Sequence, residues 1–92
     1  MGERSAAALK FRLREPNWWM ASDGAGRWEY CRHGDGFYYY GWRGVVDGQQ
    51  ESVSFGGHAR QADVLYVIEQ SRDGIEQVVR ERRARKEEVC HG

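Results

Sequence analysis

Turn signals recur at short intervals through the first part of this chain and then stop. Glu15-Pro16-Asn17, Asp23-Gly24-Ala25-Gly26, Gly34-Asp35-Gly36 and Asp47-Gly48 each combine residues that break regular structure or accept positive φ. The segments between them alternate. Leu9, Phe11 and Leu13 are interleaved with Lys10, Arg12 and Arg14, the period-two pattern of a strand with one wet face. Trp18 to Ser22 reads as a second strand. Arg27 to Arg32 reads as a third, with Trp28 and Tyr30 on one face and Glu29 and Cys31 on the other. Phe37 to Val46 forms a fourth, bent at Gly41 or Gly44, and Glu51 to Phe55 a short fifth with Val53 and Phe55 inward. Strands joined by consecutive hairpins must pair antiparallel.

Past Gly56-Gly57 the character changes. From Ala59 on, Gly74 is the one glycine before the terminal residue, and proline is absent. Ala62, Leu65, Ile68, Ile75 and Val79 make one apolar stripe at helical spacing. Asp73 with Glu76 resembles a capping box, so the helix is expected either to run on through Gly74 with a kink or to restart there. The expected fold is therefore α+β: an antiparallel meander of four or five strands over residues 8–56, with a C-terminal helical part over residues 59–89 packed on one face. With 92 residues the chain is expected to be a single domain. The predicted core is Leu9, Phe11, Leu13, Val53, Phe55, Leu65, Ile68 and Ile75.

Charge narrows the function classes. Fourteen Lys and Arg balance fourteen Asp and Glu. A general nucleic-acid coat protein would be clearly basic, and a DNA mimic clearly acidic. The distribution is uneven, however. Residues 1–15 carry four basic and two acidic side chains, residues 16–58 three and five, and residues 59–92 seven and seven. Lys10, Arg12 and Arg14 form a cationic row, read either as phosphate contacts or as protection of an edge strand. Arg82, Arg83, Arg85 and Lys86 make a second basic group, read either as a phosphate-binding helix end or as a solvated face. Glu76–Arg80 and Glu81–Arg85 pairs at i,i+4 favour the solvated face.

The segment FYYYGW, Phe37 to Trp42, poses a separate question. If the helix takes the face of Phe37 and Tyr39, then Tyr38, Tyr40 and Trp42 point away from it, partly exposed. Together with Trp19, and framed by Arg27, Arg32 and Arg43, they would form a contact patch for a partner, since Tyr, Trp and Arg concentrate binding energy. Cross-strand packing of the same rings is the competing reading.

No catalytic motif is present: G-x-S-x-G, the P-loop and H-E-x-x-H are all missing from the chain. Cys31, His33, Cys90 and His91 do not have zinc spacing. The chain is therefore expected to be non-enzymatic, without metal or cofactor. Two cysteines and no apolar leader fit reduced thiols in the cytoplasm, and no apolar run is long enough for a membrane span.

In overall pattern the chain resembles the compact, cofactor-free inhibitors, anti-CRISPR proteins among them, that phages and mobile elements encode to disable host systems. That resemblance implies a protein that occupies a functional surface of a larger host protein or ribonucleoprotein complex. The stretch from Leu9 to Gln70 is also similar in layout to the arm-type DNA-binding domain of phage integrases, a three-stranded sheet with a C-terminal helix. This second resemblance implies a small DNA- or RNA-binding module, using Lys10, Arg12, Arg14, Arg82, Arg83, Arg85 and Lys86.

Overall fold

The computed structural model describes residues 9–24 and 26–91, with side chains described as far as residue 86. The described residues form a five-stranded sheet followed by helices. The strands are β1 (Arg12–Glu15), β2 (Trp18–Asp23), β3 (Gly26–Arg32), β4 (Tyr38–Val46) and β5 (Gln49–His58). They lie in sequence order, every neighbouring pair antiparallel. The turn residues explain the connections. Asp47 and Gly48 both have positive φ, 54° and 80°, which gives the two-residue hairpin loop whose twist matches the strands it joins. Between β1 and β2, Asn17 takes φ 66° directly after Pro16. In the β3–β4 loop the Asp35 carboxylate accepts the Phe37 amide at 2.9 Å and the Tyr39 hydroxyl at 2.7 Å.

Two helices cover one face of the sheet: α1 (Gln61–Ser71) and α2 (Ile75–His91), joined by a 3-10 turn over Arg72–Gly74. The backbone stays right-handed helical through Ser71, Arg72 and Ile75, so the joint at Gly74 tightens the helix without reversing it. The buried stripe is Val64, Ile68, Arg72, Ile75 and Val79. Leu65 lies at its flank, half-buried, and Ala62 is exposed. The expected stripe missed Val64 because it skipped the charged member: with Arg72 included, the spacing 4, 4, 3, 4 is continuous.

The core lies between these helices and the inner sheet face. Register puts Trp28 opposite Trp42, Tyr30 opposite both Trp19 and Tyr40, and Trp42 opposite Val53. These rings stack across strands, Trp19 on Tyr30 at 4.8 Å and Tyr40 on Phe55 at 5.4 Å between centroids. Trp42 is 1% exposed and Tyr40 9%. This corrects the expected parity of β4: Tyr40 and Trp42 point toward the helices, Tyr38 and Trp19 pack half-buried against the same core, Phe37 is exposed, and Tyr39 points away. The reason is desolvation. Burying the parity of Tyr39 would take three charged side chains, Arg43, Arg27 and Glu29, out of water together. The parity of Trp42 instead carries Val46, and Gly44 leaves room for the indole.

The predicted core is corrected at its margins. Val53, Ile68 and Ile75 are buried, while Leu9, Phe11, Phe55 and Leu65 are half-buried against the core. Leu13 is 62% exposed. It sits opposite Trp19 on the edge strand, beyond the helices.

A buried ion pair ties the helical joint to the sheet. Arg72 donates to both Asp23 oxygens, at 3.2 and 3.1 Å, and both side chains are buried. It also donates to Glu69 at 3.0 Å, whose other oxygen accepts the Leu9 amide at 2.9 Å. These bonds raise the Arg72 pKa despite the opposing effect of burial, so it stays charged.

Candidate binding surface on the uncovered sheet face

With the helices on one side, residues of the opposite parity stand on the sheet's other face. Arg12 pairs with Met20, Met20 with Glu29, and Glu29 with Gly41, which defines one row across four strands. Arg27 and Arg43 pair with one another in a neighbouring row. Glu29 stands between them. Its carboxylate accepts the Trp18 indole N–H at 2.9 Å and meets the Nε of Arg27 at 3.1 Å and of Arg43 at 3.4 Å. The Glu29 side chain is only 12% exposed, whereas that of Arg43 is 61% exposed. One carboxylate thus holds the stems of two guanidiniums whose outer edges stay in water.

On β1, the Arg14 guanidinium lies 5.3 Å above the Trp18 ring and donates to the Met20 thioether at 3.7 Å. Two shallow depressions connect these groups. One, of about 810 Å³, is bordered by Lys10, Arg12, Arg14, Met20 and Arg27 and continues round the sheet edge to Leu13 and Arg72 on the covered side. The other, of about 670 Å³, is bordered by Ser22, Arg27, Arg43, Gln50 and Ser52. Arg27 belongs to both, so the cationic surface is continuous. Among the described residues, this surface sets five cations against Glu29, against Glu15 at the end of β1, and against Asp35, which accepts the Tyr39 hydroxyl at the opposite end. Asp23 and Glu51 reach the rims of the depressions but are held from the inner side by Arg72 and Arg83.

The basic residues of α2 belong elsewhere. Arg80 grips Asp47 through two bonds of 2.9 Å, and its hydrogen bonds hold that carboxyl below the usual carboxylate range. Arg83 bonds Glu51 and the Val46 carbonyl. Arg82 lies 5.4 Å over the Phe55 ring and donates weakly to the Ser54 carbonyl at 3.5 Å. Arg85 and Lys86 are exposed. The structure therefore separates the two cationic groups that the sequence joined in one nucleic-acid reading. Lys10, Arg12 and Arg14 border the uncovered face, while Arg82 and Arg83 fasten α2 to the β4–β5 hairpin.

Of the aromatic patch expected at Tyr38, Tyr40, Trp42 and Trp19, none stands on the uncovered face. Its arginines divide: Arg27 and Arg43 are there, whereas Arg32 pairs with Tyr38 at the sheet's end. The sequence reading missed Glu29 as the centre of the surface, and Trp18 and Met20 as its apolar floor. Arg27, Glu29 and Arg43 share one parity across two paired strands, which is the signal that locates this face.

Cys31 also points outward. Burial, and secondarily the charge of Glu29, push its thiol pKa up, so it is a poor nucleophile at neutral pH. Cys90 and His91 lie outside the residues whose side chains are described. Among the described residues no group of three or more His, Cys, Asp or Glu is placed to hold a metal ion, and no helix is long and apolar enough to cross a membrane. Comparison of the chain with known protein families, with curated proteins and with solved structures finds no match.

Proposed function

We propose that this is a small non-enzymatic binding protein whose working surface is the uncovered face of the sheet. One observation carries the reading: on that face Lys10, Arg12, Arg14, Arg27 and Arg43 outnumber the carboxylates Glu15, Glu29 and Asp35. On the covered side, Arg72, Arg80 and Arg83 are each matched to a carboxylate of the fold. Charges spent on holding a fold together are paired in this way; a one-signed surplus is a surface prepared for an acidic partner. Under this reading the protein works as compact phage-encoded inhibitors do, by occupying an acidic functional surface of a larger host protein or nucleoprotein complex.

The test compares three tagged proteins in pull-downs from a host lysate: wild type, the outer-face variant Arg12→Glu/Arg43→Glu, and the helix variant Arg85→Glu/Lys86→Glu. All four substituted residues are exposed, so the fold should survive, which circular dichroism checks. The reading requires wild type and the helix variant to retain partners that the outer-face variant loses. Equal recovery by all three would overturn it.

A further inference from the structure

We propose that the uncovered face binds the phosphate backbone of double-stranded DNA, an inference that rests on that face being the working surface. The cations fall into two clusters. Lys10, Arg12 and Arg14 lie at β1, and Arg27 and Arg43 lie on β3 and β4, with β2 between. Strands spaced 4.7–4.9 Å apart put β1 and β4 about 14 Å apart across the sheet. The major groove of B-form DNA is about 12 Å wide. The two clusters can therefore meet the phosphates on either side of one groove, with Met20 and Ser22 of β2 facing the base edges.

The chemistry of the lining agrees. Arginine forks, serine hydroxyls and the Gln50 amide are the groups that contact phosphate and sugar oxygens. Glu29 accepts the Nε–H of Arg27 and ion-pairs with the Nε of Arg43, which holds their stems and leaves their terminal nitrogens for an anion. A single strand is the poorer occupant because it needs bare rings for base stacking. The Trp18 ring is roofed by Arg14, and its N–H is committed to Glu29. The Tyr39 ring lies across Gly57, with His33 against it at 4.5 Å and its hydroxyl on Asp35. With Met20 and Ser22 as the groups nearest the bases, binding should depend weakly on sequence.

Fluorescence anisotropy with a labelled duplex of about 20 base pairs tests this on the full chain between 50 and 200 mM salt. Binding should weaken with salt, with a slope of about −0.9 per phosphate contacted. Arg12→Ala and Arg43→Ala should each weaken binding to unrelated duplex sequences alike and reduce the slope by about one. Arg85→Ala/Lys86→Ala should change neither. No binding by wild type at 50 mM salt, an unchanged affinity in Arg12→Ala/Arg43→Ala, or tighter binding of the matching single strand would each overturn the proposal. If duplex binding is absent while Arg12→Glu/Arg43→Glu still loses a protein from the pull-down, the duplex proposal falls and the binding-surface reading stands.

Discussion

The indole of Trp42 lies over Gly44, in the volume that a side chain on Gly44 would need. Gly26, opposite Gly44 on β3, is covered by the same ring. Trp42 thus fills the inner face of two strands where no Cβ stands, and the glycine pair is a socket cut to that ring. Gly44→Ala would drive a methyl into a fully buried indole and should cost about 1–3 kcal/mol through overpacking. Gly34, in the β3–β4 loop, has open space around it and no positive φ, so Gly34→Ala should stay within about 0.5 kcal/mol of wild type. Urea denaturation midpoints for the two variants compare these directly; equal losses would contradict the socket.

Trp42 itself should behave as a core residue. Trp42→Ala is expected to cost about 3–5 kcal/mol, a large part of the stability of a domain this size. Its indole N–H has no hydrogen-bond partner among the described residues. Trp42→Phe removes that unpaired donor along with some volume, so it should cost well under the alanine value. Thermal melts of both variants check the order.

The Arg72–Asp23 pair makes a different kind of prediction. Arg72→Met leaves the Asp23 carboxylate buried without its guanidinium and should cost about 3–5 kcal/mol. Replacing both, as Asp23→Leu/Arg72→Met, removes the stranded charge and should recover part of that loss. A double variant less stable than Arg72→Met would show that these side chains do not act as a pair.

Stability should fall in acid. Burial alone would raise the Glu69 pKa, but the Leu9 amide and Arg72 outweigh it and bring the value below the ordinary 4.5. Asp47 is lowered from 3.8 chiefly by its hydrogen bond from Arg80. A carboxyl whose folded pKa is depressed stabilises fully above its unfolded pKa and loses that contribution as pH falls through the folded value. The melting temperature should therefore be flat from these groups above about pH 5 and drop below pH 4.5. Glu69→Gln/Asp47→Asn should start lower at pH 7 and show a shallower acid limb.

The sequence carried the meander, the order of its turns and the helical C-terminus in plain view, because each depends on local residues such as Asp47-Gly48 and the Ile68–Ile75–Val79 spacing. The facing of β4 was harder, since four aromatics fill both of its parities. Only its pairing with β3, where Glu29 alternates with Trp28 and Tyr30, decides which side is buried. Arg72 was hidden for a related reason: an arginine on an apolar stripe reads as an interruption until Asp23, far away in sequence, is seen to meet it. The cationic face was half visible. Arg12, Arg14, Arg27 and Arg43 were all evident, but their assembly on one surface follows from strand register and not from spacing along the chain.

The order of the elements has a consequence for folding. Every strand pairs with its neighbour in sequence, so the sheet can close hairpin by hairpin before α1 and α2 dock on it. During that interval Trp28, Tyr30, Tyr40 and Trp42 form an uncovered aromatic wall. The arginines on the far side of the same sheet give such a partly folded chain a charged surface that opposes its association with another copy until the helices dock.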